Sequence, residues 1–226
     1  MNEPIYYRNQ LLDIVKLLGK GKGGYSYLVT NGQEQFVAKK IHHEPCDFYD
    51  FGNDKFGAEI HAYEKLNKLP IHIPKLLEVN QEQEYLIKEY IHGELVSDLA
   101  ACGELSVSMI LQAFQISEAL RKNDINIDYF PTNFVIRSDK LVYIDYEIND
   151  YMSEWDFTHW GIYYWLNQEG MKLYNDTGGF DLLHPDPNIS KPRTLGFEMQ
   201  VAELKATYQR LAKQNQGDIN LLKSTI

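Results

Sequence analysis

The chain has 226 residues, of which 22 are basic and 32 are acidic, so its formal net charge is −10. With 44% hydrophobic and 13% aromatic residues it is too apolar for a disordered chain, and it is long enough to bury a core as one large domain or two small lobes. The sequence lacks a long apolar run, a secretion signal and zinc-type cysteine spacing. These features predict a cytoplasmic protein without membrane contact. The excess of acidic residues predicts that the protein has no nucleic-acid partner.

The first part of the chain has the alternating pattern of an antiparallel sheet. Apolar residues alternate through 11–41, with a hairpin signal at Asn31-Gly32. Apolar positions at helical spacing predict a helix over 55–69, and short apolar runs predict strands over 76–79 and 84–90. We therefore expect a sheet of about five strands with one helix inserted after the third.

The pattern changes to helix after this sheet. Ser106 is a good N-cap for a helix whose apolar face begins at Val107. Further predicted elements are strands over 134–136 and 141–144 and helices over 155–166 and 197–213. The β-rich part is predicted to cover residues 1–91 and the α-rich part residues 92–226, together forming one domain.

A glycine-rich segment, residues 19–24, lies between two predicted strands. Glycines let a backbone approach a ligand closely and leave N–H groups to face phosphate oxygens. The position between two strands argues against a Rossmann turn, and the P-loop pattern is missing. From these residues alone, a flexible hairpin and a phosphate-covering loop are both open.

Two lysines, Lys39 and Lys40, lie on the strand that follows this segment, and strand alternation turns only one of them inward. An inward lysine needs a carboxylate partner or a bound anion. Glu59 on the next helix is the candidate partner, with Glu64 as the alternative. A solvated lysine and a surface glutamate remain the other interpretation, because both residue types are usually exposed.

Three polar residues in the second half have the chemistry of a metal-dependent site. Asp145 directly follows an apolar strand, and its carboxylate together with the amide oxygen of Asn133 would suit Mg²⁺. Asp128 precedes Asn133 in an Asp-x4-Asn spacing and could orient a hydroxyl group or accept its proton. Ordinary Asx turns at each position are the alternative.

Taken in order, these features resemble the protein-kinase-like superfamily over about residues 11–166. The shared order is glycine loop, strand lysine, helix glutamate, a strand ending in Glu-Tyr-Ile, Asp-x4-Asn and apolar-Asp. The resemblance implies an α+β, two-lobed fold, with an antiparallel sheet and one helix in the N-lobe and a mostly helical C-lobe. It also implies ATP and Mg²⁺ as cofactors.

The resemblance implies a nucleotide contact for each matching residue of the N-lobe. Lys39 would hold the α- and β-phosphates and pair with Glu59, and the backbone from Glu89 to Ile91 would bind adenine. The phosphates would be covered by Gly21, Gly23 and Ser26, or in another frame by Gly19, Gly21 and Gly24.

In the C-lobe, Asp128 would be the catalytic aspartate, and Asn133 and Asp145 would bind Mg²⁺. The chain departs from protein kinases at Asn126-Ile127-Asp128, where they have H-R-D, and at Asp145-Tyr146-Glu147, where they have D-F-G. No A-P-E motif follows. These departures make the chain similar to a small atypical branch, the aminoglycoside, choline and RIO-like kinases.

Two further residues bear on the acceptor and on the catalytic loop. Phe130 replaces the lysine that contacts the transferred phosphate in protein kinases, which favours a small-molecule hydroxyl acceptor. By the same resemblance Asp156 would hold the catalytic loop, and a helix N-cap is the alternative. The expected activity is ATP- and Mg²⁺-dependent phosphoryl transfer; a protein Ser/Thr kinase and a nucleotide-binding pseudokinase are the alternatives.

Overall fold

The computed structural model describes residues 4–44, 54–186 and 191–223, with side chains of the last helix described through residue 214. The chain divides into two compact units, Met1–His92 with Tyr143–Glu147, and Gly93–Val142 with Ile148–Ile226. Residues 143–147 therefore belong with the first unit, whereas the sequence analysis assigned all of 92–226 to the second part. The difference arises because this segment bonds to side chains and backbone of the first unit.

The first unit is built on a six-stranded antiparallel sheet with the strand order β1-β2-β3-β4-β6-β5. Its strands are β1 (Ile5–Tyr7), β2 (Gln10–Lys20), β3 (Gly24–Thr30), β4 (Gln35–Ile41), β5 (Leu76–Asn80) and β6 (Tyr85–Glu89). The predicted strands are all present. Strand β1 was missed because its three residues are too few to show an alternating pattern, so the helix follows the fourth strand and not the third.

Helix α1 spans Lys55–Leu66 and is shorter than the predicted 55–69. It begins at Asp54, whose side chain accepts a hydrogen bond from the Gly57 N–H at 2.7 Å. Pro70 is consistent with this end, because a proline ring clashes with the carbonyl four residues earlier, here that of Leu66, if the helix continues.

The sheet is packed on both faces. On one face a cluster contains Ile5, Tyr7, Leu12, Val29, Phe36, Ala38, Tyr85 and Ile87. On the other face Ile41 and Leu86 pack against Phe56 of α1. Side chains alternate along a strand, so Lys39 of β4 and Lys88 of β6 point to the α1 face with Ile41 and Leu86.

The second unit is mostly helical. Its helices are α2 (Val96–Cys102), α3 (Val107–Arg121), α4 (Ile162–Leu166), α5 (Gln168–Thr177) and α6 (Glu198–Lys223). Its short strands are β7 (Glu94–Leu95), β8 (Ile125–Asn126), β9 (Phe134–Arg137), β10 (Lys140–Tyr143, whose last residue counts with the first unit) and β11 (Asn149–Asp150). The predicted N-cap is confirmed, because the Ser106 side chain accepts from the Met109 N–H at 3.3 Å.

The predicted aromatic helix over 155–166 is a 3-10 turn, a π-helical turn and α4 in succession. Trp165 of α4 is fully buried, and its Nε1 donates to the Tyr129 carbonyl oxygen at 2.9 Å. Gly161 lies against Tyr129. A Cβ added to Gly161 would be 2.4 Å from the Tyr129 Cβ, so only glycine fits at this position. These contacts fix the backbone next to Asp128.

The protein is thus α+β, as the sequence predicts, with an antiparallel sheet in the first unit. In the parts of the chain that the structure describes, none of the helices combines the length and the apolar character needed to cross a bilayer.

Candidate functional site

Lys39 is buried and makes two ion pairs. Its Nζ donates to Glu59 Oε2 at 2.7 Å and to Asp145 Oδ1 at 2.9 Å. The side chains of Lys39 and Glu59 are each only 9% exposed. Of the residues that the sequence left as alternatives, Lys40 is half-buried and points to the opposite face, and Glu64 is exposed. The structure therefore brings Lys39 and Glu59 together.

Asp145 follows β10 and is held by its neighbours. Its Oδ1 also accepts a hydrogen bond from the Tyr146 N–H at 2.9 Å. Tyr146 is anchored in turn, because its hydroxyl donates to the Pro74 carbonyl oxygen at 2.7 Å and its ring centroid lies 5.1 Å from that of Tyr63. Both hydrogen bonds described for the carboxylate fall on Oδ1, and the side chain is 26% exposed. A ligand can therefore reach Asp145.

Lys88 is a second lysine in this buried group, and the sequence analysis did not identify it. Only 3% of its surface is exposed. Its Nζ donates to the Ile144 carbonyl oxygen at 3.1 Å and lies 4.2 Å from the centroid of the Tyr146 ring. The pairing of Val37 with Lys88 puts this lysine on the face of Lys39. The register of β4 against β6 would have revealed it, but the sequence pattern does not specify that register.

Lys39, Glu59, Lys88 and Asp145 shift one another's pKa values. Burial, assisted by the charge of Lys39, lowers the pKa of Lys88 to about 8. Burial would also lower the pKa of Lys39, but Asp145 and Glu59 outweigh it and hold that pKa above its ordinary value. Burial opposes ionisation of Asp145, yet Lys39 and Lys88 keep its pKa well below the usual range. Asp145 therefore stays an anion at neutral pH.

Glu59 is the least satisfied member of the group. Burial raises the pKa of its carboxyl, against the opposing charge of Lys39. Its Oε2 accepts from Lys39, whereas Oε1 is buried without a hydrogen-bond partner in the described part of the chain. Glu59 thus holds Lys39 in place, although burial of the two charged groups costs desolvation free energy.

The glycine-rich segment forms the turn between β2 and β3, so the hairpin interpretation describes its backbone correctly. The Gly21 N–H donates to the Gly24 carbonyl oxygen at 2.9 Å. A Cβ on Gly24 would lie 2.7 Å from the Lys40 carbonyl oxygen, so the close approach of β3 and β4 accounts for this glycine. A Cβ on Gly19 would meet nothing within 4 Å.

The other predicted phosphate-covering residues lie at this turn and on β3. Gly21 is exposed and Gly23 is half-buried. Ser26 pairs directly with Lys39 across β3 and β4, so the two side chains share a face. Their contact with phosphate stays a prediction.

The predicted adenine segment begins at the end of β6. The Glu89 N–H donates to the Lys75 carbonyl oxygen at 2.9 Å, and the Lys75 N–H donates to the Glu89 carboxylate at 3.2 Å. A contact between Glu89 and a nucleotide base therefore cannot use this N–H. Ile91 is buried beyond the end of the strand.

In the second unit, a hydrogen bond links Asn133 to Asp128. The Asn133 Nδ2 donates to the Asp128 carbonyl oxygen at 3.2 Å, which fixes the orientation of the amide. The Asp128 Oδ1 accepts from the Phe130 N–H at 3.0 Å, which is the Asx turn that the sequence left open. The turn holds the carboxylate without burying it, since Asp128 is partly exposed.

Asp156 serves as the N-cap of the π-helical turn. Its Oδ1 accepts from the His159 N–H at 2.9 Å, and its Oδ2 accepts from the Tyr151 hydroxyl at 3.1 Å. Asn126 is buried, and its Nδ2 donates to the Met152 carbonyl oxygen at 3.1 Å. Asp156 is therefore the helix N-cap that the sequence left as the alternative, and its role in holding the catalytic loop stays a prediction.

Asp145 of the first unit and Asn133 of the second unit each have an oxygen atom of the kind that magnesium prefers. Among the described residues no three His, Cys, Asp or Glu side chains gather as metal ligands. Mg²⁺ in nucleotide sites needs only one or two protein oxygens besides phosphate and water. The Asp145 carboxylate is accessible. In Asn133 the amide nitrogen already donates a hydrogen bond, and the amide oxygen of the same side chain is the atom suited to a metal.

Two comparisons with known proteins gave no match: no protein-family model matches the chain, and no curated protein matches it. The case for a function therefore rests on the residues and their geometry.

Proposed function

We propose that this chain is a Mg²⁺-dependent phosphotransferase of the kinase-like fold, which transfers the γ-phosphoryl group of ATP to a hydroxyl group. The observation that carries the proposal is the pair of bonds from Lys39 to Glu59 and Asp145. Buried ion pairs contribute little net stability, so this arrangement favours a functional explanation. Its residue types and their order along the chain are those of phosphoryl-transfer sites.

In this proposal the first unit binds the nucleotide. Lys39 binds the α- and β-phosphates, and Glu59 keeps the ammonium group in position. The backbone of the turn at Gly21 and Gly23 covers the phosphates. Asp145 and Asn133 are the residues that would hold Mg²⁺, and the ion would supply positive charge to offset that of the phosphates.

Asp128 acts on the acceptor. The acceptor oxygen forms a bond to the γ-phosphorus while the bond from that phosphorus to the β,γ-bridging oxygen breaks, and ADP leaves. Asp128 orients the hydroxyl group and accepts its proton. The hydrogen bond from the Phe130 N–H fixes the direction of the carboxylate. Positioning and electrostatic stabilisation supply most of the catalysis in this class of reaction.

A small-molecule alcohol is the acceptor that the residues around Asp128 favour. Phe130 stands where protein kinases have a phosphate-contacting lysine. Its ring packs against those of Tyr164 and Tyr174, with centroids 5.1 Å and 4.9 Å away, so the position is committed to an aromatic cluster. The negative charge of Asp128 helps to raise the pKa values of both tyrosines, after the larger effect of burial, which indicates that the cluster adjoins the carboxylate.

The test is ADP formation from Mg·ATP with a panel of small alcohols and Ser/Thr peptides. Asp128→Asn should lower turnover by about 10²- to 10⁴-fold while ATP affinity is retained. Asp139→Asn is the matched control, since Asp139 is an exposed aspartate in the turn after β9. Transfer to peptides alone would favour the protein kinase alternative. ATP binding without turnover would contradict the proposed activity and favour a pseudokinase. Equal turnover in wild type and Asp128→Asn would contradict the role proposed for Asp128.

A further inference from the structure

Lys88 occupies a position that lysine rarely occupies. It lies on β6, between β4 and β5, is paired with Val37 on β4 and with Leu76 on β5, and is almost wholly buried. A buried ammonium group is costly unless it is bonded or paired. A methionine or leucine would fill the same space at no such cost, so a contact that only the lysine makes should explain its presence.

The contacts of Lys88 lie on both sides of Asp145. Its Nζ donates to the carbonyl oxygen of Ile144, the residue before Asp145, at 3.1 Å. The same Nζ lies 4.2 Å from the ring centroid of Tyr146, the residue after it, within the range of a cation–π contact. One ammonium group thus holds the two residues that flank the carboxylate.

The orientation of Asp145 depends on these same two neighbours. The Tyr146 N–H donates to Asp145 Oδ1, so displacement of Tyr146 would release that oxygen. Lys39 bonds the same oxygen, and both bonds direct Oδ1 into the buried group. The other carboxylate oxygen, Oδ2, takes part in neither of these two bonds, and the side chain as a whole is 26% exposed.

We infer that Lys88 is a positioning residue, which fixes the segment from Ile144 to Tyr146 so that Asp145 presents its second oxygen to Mg²⁺. The metal-binding part of this inference rests on the proposed function. Lys88 acts through the backbone carbonyl and the tyrosine ring and does not itself bind the nucleotide. Residues that orient a metal ligand commonly affect metal affinity by about 10- to 100-fold.

The experiment measures ATP binding by calorimetry as Mg²⁺ is raised, for wild type, Lys88→Met, Lys88→Arg and the exposed-lysine control Lys16→Met. Lys88→Met should raise the Mg²⁺ concentration at half-maximal binding by about 10- to 100-fold and leave metal-free ATP affinity within about 3-fold. Lys88→Arg keeps the charge and should recover part of the loss, and Lys16→Met should behave as wild type. Unchanged Mg²⁺ dependence in Lys88→Met, or an equal loss of metal-free binding, would overturn the inference.

A second measurement does not require nucleotide. Hydrogen exchange of the Tyr146 amide should be faster in Lys88→Met than in wild type and in Lys16→Met, because the bond from this amide to Asp145 Oδ1 would be weakened. If Lys88→Met does not fold, Tyr146→Leu removes the ring contact while the lysine stays, and it should raise the Mg²⁺ requirement in the same direction. No change in Tyr146→Leu would count against the inference.

The two proposals fail in different ways. Wild-type protein that binds no ATP at any Mg²⁺ concentration would sink the phosphotransferase proposal, whereas faster Tyr146 exchange in Lys88→Met would still support the positioning role. Suppose instead that wild type binds Mg·ATP, and that Lys88→Met matches wild type both in Tyr146 hydrogen exchange and in the Mg²⁺ dependence of ATP binding. That result would overturn the positioning role and leave the phosphotransferase proposal standing.

Discussion

Replacing Lys39 by methionine removes the cation that two carboxylates share. Glu59 is as buried as the lysine, so its charge would lose its only described hydrogen-bond donor. Breaking a buried ion pair by removing one partner costs about 3–5 kcal/mol. Asp145 is 26% exposed and Lys88 remains nearby, which reduces the cost. We therefore expect the free energy of unfolding to fall by about 3 kcal/mol, the lower end of that range.

A second substitution tests whether the lost energy comes from the stranded carboxylate. Glu59→Leu removes that charge, so Lys39→Met/Glu59→Leu should be more stable than Lys39→Met alone by about 1–2 kcal/mol. The assay is urea unfolding at pH 7, followed by circular dichroism. Lys40→Met is the matched control on the same strand and should lose less, because Lys40 is only half-buried. Equal losses for Lys39→Met and Lys40→Met would refute the reasoning.

Two further predictions concern stability. The folded pKa of Lys88, about 8, lies below its ordinary value of 10.5, so the unfolded chain binds more protons between these pH values. The free energy of unfolding of wild type should therefore rise relative to that of Lys88→Met by about 3 kcal/mol as pH increases through this window, and a flat difference in urea unfolding would contradict the shift. Gly161→Ala should destabilise the protein by about 1–3 kcal/mol, because its Cβ would clash with Tyr129, whereas Gly19→Ala should be neutral in thermal melts. Equal melting temperatures for the two variants would contradict the clash.

Local patterns were sufficient for most elements of the first unit. Alternation and helical spacing predicted the strands after β1 and helix α1 because each of these elements has one apolar face. Strand β1 and helix α2 were missed. The three residues of β1 are stabilised by pairing with β2, and α2 is only seven residues long, so neither has a repeat that sequence alone could show.

The candidate site was predictable where one strand or one motif contained the information. Alternation limited the inward lysine to Lys39 or Lys40, and the order of motifs favoured Lys39 and Glu59. Lys88 could not be found in this way, because its position depends on the pairing of β6 with β4, which are far apart in sequence. The assignment of residues 143–147 to the first unit likewise follows from long-range contacts such as the bond from Tyr146 to Pro74.

The most direct test of the central claim is calorimetric binding of ATP with and without Mg²⁺, on wild type and on Asp145→Ala. The proposed site predicts that Mg²⁺ strengthens ATP binding to wild type and that this gain is lost in Asp145→Ala. Wild-type protein that binds no ATP under either condition, or a gain from Mg²⁺ that survives in Asp145→Ala, would contradict it.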